Sequence, residues 1–168
     1  MNTNTIRVLV PVLFTLGLSL TGALCNVSYA MNPSKMVLSD AKIAHDLNNN
    51  AIELPNKSGK WTIVNYWTQW CGPCKREIPD LNAFHKNNQD KIVLVGINSD
   101  LLDHKTLQKM AKDLKIQFPI LQTDPMHLVD SLVGTPSTYL ISPSGQVHGP
   151  LLGPQSEHSL LKAIQKYS

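Results

Sequence analysis

Asn65-Tyr66-Trp67-Thr68-Gln69-Trp70-Cys71-Gly72-Pro73-Cys74-Lys75-Arg76-Glu77-Ile78-Pro79 places two cysteines where a β-branched and aromatic run gives way to a segment with helical spacing. Upstream, Trp61–Trp67 has the length and composition of a strand and follows the turn-forming Lys57-Ser58-Gly59-Lys60. Downstream, Ile78, Leu81 and Phe84 recur at intervals of three, as along one face of a helix. Ile92–Ile97 is then a second strand, bounded by Asn98-Ser99-Asp100. Strand, helix and strand form a βαβ unit. A parallel pair requires a right-handed crossover, so the helix packs on the sheet and its N-terminus emerges at the carboxyl end of the first strand. Cys71 is therefore expected at an exposed edge.

Working outward, the spacing predicts a helix over His104–Leu114, with Leu107, Met110, Ala111 and Leu114 on one face, and then a short strand over Phe118–Leu121. Ser137–Ser142 and Gln146–Leu151 flank Pro143-Ser144-Gly145 and predict a hairpin. Gln155–Ser168 closes the chain as an amphipathic helix built on Leu160, Leu161 and Ile164. On the N-terminal side, Asp40–Leu47 is read as a short helix before the turn-prone Asn48-Asn49-Asn50. The expected organisation is a leader over 1–30, a linker and lead-in over 31–50, and an α/β domain over 51–168.

A thiol attacks a disulfide only as its thiolate, and an ordinary cysteine titrates near pH 8.5, so an active cysteine needs its charged form stabilised. The first turn of a helix offers unpaired backbone N–H groups and the positive end of the macrodipole. That makes Cys71 the candidate nucleophile. Cys74 lies one helical turn further on and is the candidate resolving thiol. Pro73 falls early in the helix, where its missing N–H is no loss, and Gly72 leaves room for a partner backbone. A Cys-x-x-Cys can also be half of a zinc site, which needs two more ligands, or a pair of soft thiolates for Cu(I). The six histidines are dispersed and no Met/His cluster accompanies the pair, so no metal and no cofactor are expected.

Composition narrows the class. With 42% hydrophobic and 16% charged residues in 168, the chain can bury a core without structural cross-links. A net charge of +3 spread over scattered basic residues does not fit tracking of a phosphate backbone, so nucleic acid is not an expected partner. In the first thirty residues Arg7 is the only charge, an apolar run extends from Val8 to Leu24, and Ser28-Tyr29-Ala30 has a small-x-small cleavage pattern. That reads as an export signal cleaved after Ala30, or as an uncleaved N-terminal anchor. Leu24 precedes Cys25 where lipid-modifying signals want a small residue. A chain cleaved after Ala30 keeps only Cys71 and Cys74, which in an oxidising compartment are more use as a chemical tool than as a staple. No exposed apolar stripe outside the leader calls for a dimer, and a monomer is expected.

The segment Asn65–Pro79, together with Gly134-Thr135-Pro136, resembles the thioredoxin superfamily and, more narrowly, its exported TlpA/ResA/CcmG (DsbE)-like branch. The resemblance runs from about Ile52 to the C-terminus and implies a thioredoxin-like fold, with a central mixed sheet flanked by helices, and thiol–disulfide oxidoreductase activity through a Cys71–Cys74 redox disulfide. It implies that Asn65 stands where cytosolic thioredoxins carry a buried aspartate, and that Glu77 is the acid that exchanges a proton with Cys74. It implies that Pro136 is the superfamily's cis-proline and that Thr135-Pro136 pairs with an extended substrate segment near Cys71. Trp70 is expected to border the disulfide, Trp67 to pack in the core, and Pro79 to bend the helix.

The Gly72-Pro73 spacer resembles those of reducing thioredoxins, so a reductase of protein disulfides is expected. Such a protein would be recharged by a membrane-embedded thiol reductant of the DsbD/CcdA type. A recurring task of the branch is reduction of the Cys-x-x-Cys-His segment of apocytochrome c; other members reduce other exported proteins. A net oxidase or isomerase and a Cu(I)-binding dithiol metallochaperone are the alternatives. Loops 100–104 and 122–133 would carry specificity.

Overall fold

The computed structural model describes residues 36–38, 40–100 and 102–168. The leader expected over 1–30 lies outside these residues. The central sheet comprises β3 (Trp61–Trp67), β4 (Ile92–Asn98), β5 (Ile120–Leu121), β6 (Ser137–Ile141) and β7 (Val147–Leu152), in the order β5-β4-β3-β6-β7. β3 pairs in parallel with β4 and antiparallel with β6, in the register Val64↔Val95 and Val64↔Tyr139. It lies at the centre, and its side chains are covered on both faces: all but Trp61 are buried.

Strand alternation divides the core. Ile63, Trp67, Leu94 and Leu140 pack with residues from α1 (Gly72–Asn88), α2 (His104–Asp113) and α3 (Glu157–Tyr167). Val64, Tyr66, Val95, Tyr139 and Ile141 pack with Leu38, Leu54, Met126 and Leu128. The short helices are set by side-chain caps. Asp103 accepts from Thr106 N at 3.0 Å at the start of α2, and Ser156 and Ser159 form a reciprocal capping box at the start of α3.

The N-terminal part differs from the expectation. Asp40–Leu47 does not form a helix; Lys42–His45 is strand β1, antiparallel to β2 (Ala51–Leu54). The reason lies in Asp46, whose carboxylate accepts from Asn48 N and Asn50 N at 2.8 Å each and from Asn50 Nδ2 at 2.9 Å. Asn49 takes the left-handed conformation at φ 63°. A side chain that captures backbone donors in this way folds the chain back in a turn and competes with helix. The domain boundary expected at residue 51 therefore falls between the strands of a hairpin.

The same segment reaches both edges of the central sheet. At β7, Leu38 N donates to Gly145 O (2.9 Å) and Val147 N donates to Met36 O (3.0 Å). At β5, Leu47 N donates to Ile120 O (3.0 Å) and Gln122 N to His45 O (2.9 Å). Residues 36–38 and 40–47 thus cover two edges that would otherwise present unpaired backbone groups. Among the described residues no helix is long and apolar enough to cross a membrane.

Candidate active site

β3 ends at Trp67, and four residues later Cys71 serves as the N-cap of α1, with extended backbone (φ −78°, ψ 99°). Cys74 N donates to Cys71 Sγ at 3.1 Å, and Lys75 N donates to Cys71 O at 3.2 Å, the first bond of the helix. A sulfur in the capping position takes up one of the orphan donors of the first turn, the role usually played by an oxygen. Cys71 and Cys74 are joined as a disulfide. Cys71 keeps 9% of its surface exposed and Cys74 only 1%, so the first sulfur is the more accessible to a partner.

The turn before Cys71 is held from β4. Asp100 accepts from Gln69 N at 2.5 Å, while Asp100 N donates to Asn98 Oδ1 at 3.0 Å. Trp67 is buried and Trp70 is 83% exposed, a large apolar side chain standing in solvent immediately before Cys71. Lys75 and Arg76 are exposed on α1. Pro79 lies inside α1.

One turn beyond Cys74, Glu77 is buried at 2% exposure. Its Oε1 accepts from Asn65 Nδ2 at 2.9 Å, and its Oε2 accepts from the backbone N–H of Gln155 at 2.7 Å. Asn65 Nδ2 also donates to Thr138 Oγ1 at 3.1 Å. Burial pushes the Glu77 carboxyl above its ordinary range, and the Asp80 charge adds to the rise, while the bonds from Gln155 and Asn65 pull against it. The arrangement keeps a carboxyl whose proton is held more tightly than usual in the helix that carries both cysteines.

Thr135-Pro136 comes to the same place from the other side of the sheet. Its peptide bond is cis, and Thr135 Oγ1 lies 3.4 Å from Thr68 Oγ1, which ties the loop to the turn before Cys71. Pro136 O accepts from Gly153 N at 3.0 Å. Val133, Thr135, Pro136, Leu152 and Gly153 line a small cavity of about 140 Å³. The structure thus brings Cys71, Cys74 and Glu77 together on α1 and sets Thr135 against their turn, with Trp70 on the rim.

Sequence reasoning missed four contributors. Asp100 stood out only as a loop boundary, because its hydrogen bond to Gln69 spans two loops. The Gln155 backbone N–H leaves no residue-type signal. Leu152 and Gly153 lie at the end of a strand whose register the hairpin pattern did not determine. Among the described residues no three His, Cys, Asp or Glu side chains form a group that could hold a metal ion.

The profile of the AhpC/TSA family matches residues 36–149, which contain the cysteine pair, Glu77 and Thr135-Pro136. The chain belongs to the AhpC/TSA family. Within it, the sporulation thiol-disulfide oxidoreductase A of Bacillus subtilis strain 168 is 29% identical over 114 residues, 65% of this chain and 68% of that protein. The thiol-disulfide oxidoreductase ResA of the same organism is 28% identical over 139 residues, 79% of this chain and 76% of that protein. The crystal structure of StoA from B. subtilis superposes with a TM-score of 0.65 at 25% identity, covering 77% of this chain and 99% of that one. The similarity places the chain in the TlpA/ResA/CcmG branch of thioredoxin-like proteins, and with the Cys71–Cys74 pair it makes the chain a thiol–disulfide oxidoreductase.

Proposed function

We propose that this oxidoreductase is exported and works as a reductase, passing two electrons from a Cys71–Cys74 dithiol to disulfides in extracytoplasmic proteins. The observation that carries the reading is the placement of Cys71 as the N-cap of α1, with the Cys74 N–H 3.1 Å from its sulfur and Glu77 buried one turn beyond. The Cys71 thiolate, favoured by the helix N-terminus, attacks one sulfur of the substrate disulfide, and the other substrate sulfur leaves as a thiolate. Cys74 then gives its proton to the Glu77 carboxylate and attacks Cys71 Sγ. The second substrate thiolate departs, and the protein is left with the Cys71–Cys74 disulfide.

Thr135-Pro136 offers an extended substrate segment a surface beside the pair, and Trp70 covers the approach. The substrate class we favour is the oxidised Cys-x-x-Cys-His segment of an apocytochrome c, with a membrane-embedded thiol reductant of the DsbD/CcdA type returning the electrons. The export signal read in residues 1–30 and the Gly72-Pro73 spacer support these assignments.

The test is a single-turnover reaction of the reduced protein with an oxidised Cys-x-x-Cys-His peptide, followed by thiol counting. Cys74→Ser should stop at a mixed disulfide joining Cys71 to the peptide, and Cys71→Ser should be inert. A mixed disulfide accumulating instead in Cys71→Ser would reverse the assignment.

A further inference from the structure

Tyr66 is fully buried on β3, the strand that delivers the chain to Cys71, and its face of the sheet is opposite the one that carries Asn65 and Glu77. Its hydroxyl donates to Asp124 Oδ1 at 2.8 Å. Asp124 lies in the connection between β5 and β6, and the rest of its carboxylate is taken up by that connection. Met126 N donates to Oδ1 at 3.0 Å, and Leu128 N and Val129 N donate to Oδ2 at 2.7 and 3.0 Å. Burial and the adjacent Asp124 charge push the Tyr66 phenol far above its ordinary range, which keeps it a donor at any working pH. Tyr139 packs edge-on against the Tyr66 ring at 5.7 Å and leaves it little room to turn.

The connection that this carboxylate gathers continues through the turn Val129–Ser131 directly to Val133, 81% exposed, and on to Thr135-Pro136. The Tyr66 hydroxyl is therefore a fixed point in the central strand from which the strip Val133–Pro136 is hung. The disulfide does not depend on that point, since Cys71 is held by the end of β3, by α1 and, through Gln69, by Asp100. We propose that Tyr66 and Asp124 are a positioning pair that sets the strip Val133–Pro136 for extended polypeptide substrates, and so governs selection between polypeptide and small disulfides. The inference rests on the reading of that strip as the docking surface.

Removing the hydroxyl leaves one carboxylate oxygen short of a donor and frees the Asp124 end of the connection from β3, which is then held by the burial of Met126 and Leu128 and, at its far end, by the Thr135–Thr68 contact. The strip can then shift relative to Cys71, which costs a substrate that must lie along it and spares one that does not.

The experiment compares second-order rate constants of the reduced protein with fully unfolded, disulfide-bonded ribonuclease A and with bis(2-hydroxyethyl) disulfide. Tyr66→Phe keeps the ring and should lower the ratio of the polypeptide rate to the small-disulfide rate by about five- to tenfold, the scale of one typical intramolecular hydrogen bond. Asp124→Asn, which weakens all four bonds, should lower it further, and the reduction potential should match the parent in both variants. A general loss of stability would lower the two rates together or neither, and either pattern would overturn the proposal. Val133→Ser separates the two readings. If it lowers the ratio while Tyr66→Phe does not, only the anchor is wrong; if it leaves the ratio unchanged, the docking strip fails and the anchor with it.

Discussion

Cys71 serves at once as helix cap and as one half of the disulfide, and the carboxyl one turn beyond Cys74 has been taken out of water. Glu77→Gln tests the proton role. Cys74 would lose its acceptor, so release of substrate from the mixed disulfide should slow by about 10²-fold while the initial attack by Cys71 keeps its rate; stopped-flow kinetics separate the two steps. The same variant has a pH signature. The Glu77 carboxyl holds its proton more tightly folded than unfolded, so the parent loses stability as pH rises from the ordinary carboxyl value, 4.5, through the raised one. The variant lacks that slope. It carries a constant penalty of about 1–3 kcal/mol, because its amide sets N–H against the donors of Asn65 or Gln155. Its melting temperature relative to the parent should therefore climb as pH rises above the ordinary carboxyl value, and parallel curves would remove the claim that burial has raised this carboxyl. At this scale the cysteines and their helical setting were legible because spacing and residue type carry them. The partners of Glu77 were not, since the Asn65 amide reaches it across 12 residues and the Gln155 N–H across 78.

Strands and helices with strong periodicity were readable along the chain: Trp61–Trp67, the helix through Ile78, Leu81 and Phe84, and Ile92–Ile97 all stand where the apolar pattern puts them. The pattern failed at Asp40–Leu47, where a run with helix-like composition became β1 because Asp46 captures the donors of Asn48 and Asn50. Asp46→Ala should therefore loosen the β1–β2 turn and cost about 1–2 kcal/mol in chemical denaturation. Packing between neighbouring strands also had no local signal. Gly96 in β4 admits no side chain, because a Cβ there would meet Ile120 Cδ1 at 2.5 Å and Phe118 Cε2 at 3.0 Å. Both neighbours are buried at 3–4% exposure and cannot swing out to solvent. Gly96→Ala should destabilise the protein by about 1–3 kcal/mol, read from the denaturation midpoint, without changing the intrinsic reactivity of the cysteine pair. An unchanged midpoint would show that β5 gives way freely.

For the molecule as a whole, residues 36–38 and 40–47 pair with the two edges of the sheet and contribute Leu38, Ala44 and Leu47 to the core. A chain starting at Ala51 would lose all three, and burial of two leucines and an alanine is worth about 3–6 kcal/mol. It would also leave the edges of β5 and β7 unpaired, so the shortened protein should both unfold earlier and self-associate, as light scattering would show. The sequence marked this segment as polar and weakly patterned because a segment that pairs with sheet edges buries only scattered side chains along its length. The fold class was legible from the βαβ pattern, and the branch from the active-site segment. The direction of electron flow belongs to the whole molecule, because it depends on the relative stability of the dithiol and disulfide forms. The measurement that decides it is the equilibrium reduction potential of Cys71–Cys74 against a glutathione or thioredoxin couple. A reductase with the Gly72-Pro73 spacer should lie near thioredoxin, at about −270 mV; a value near about −120 mV would contradict the account and make the protein a donor of disulfides.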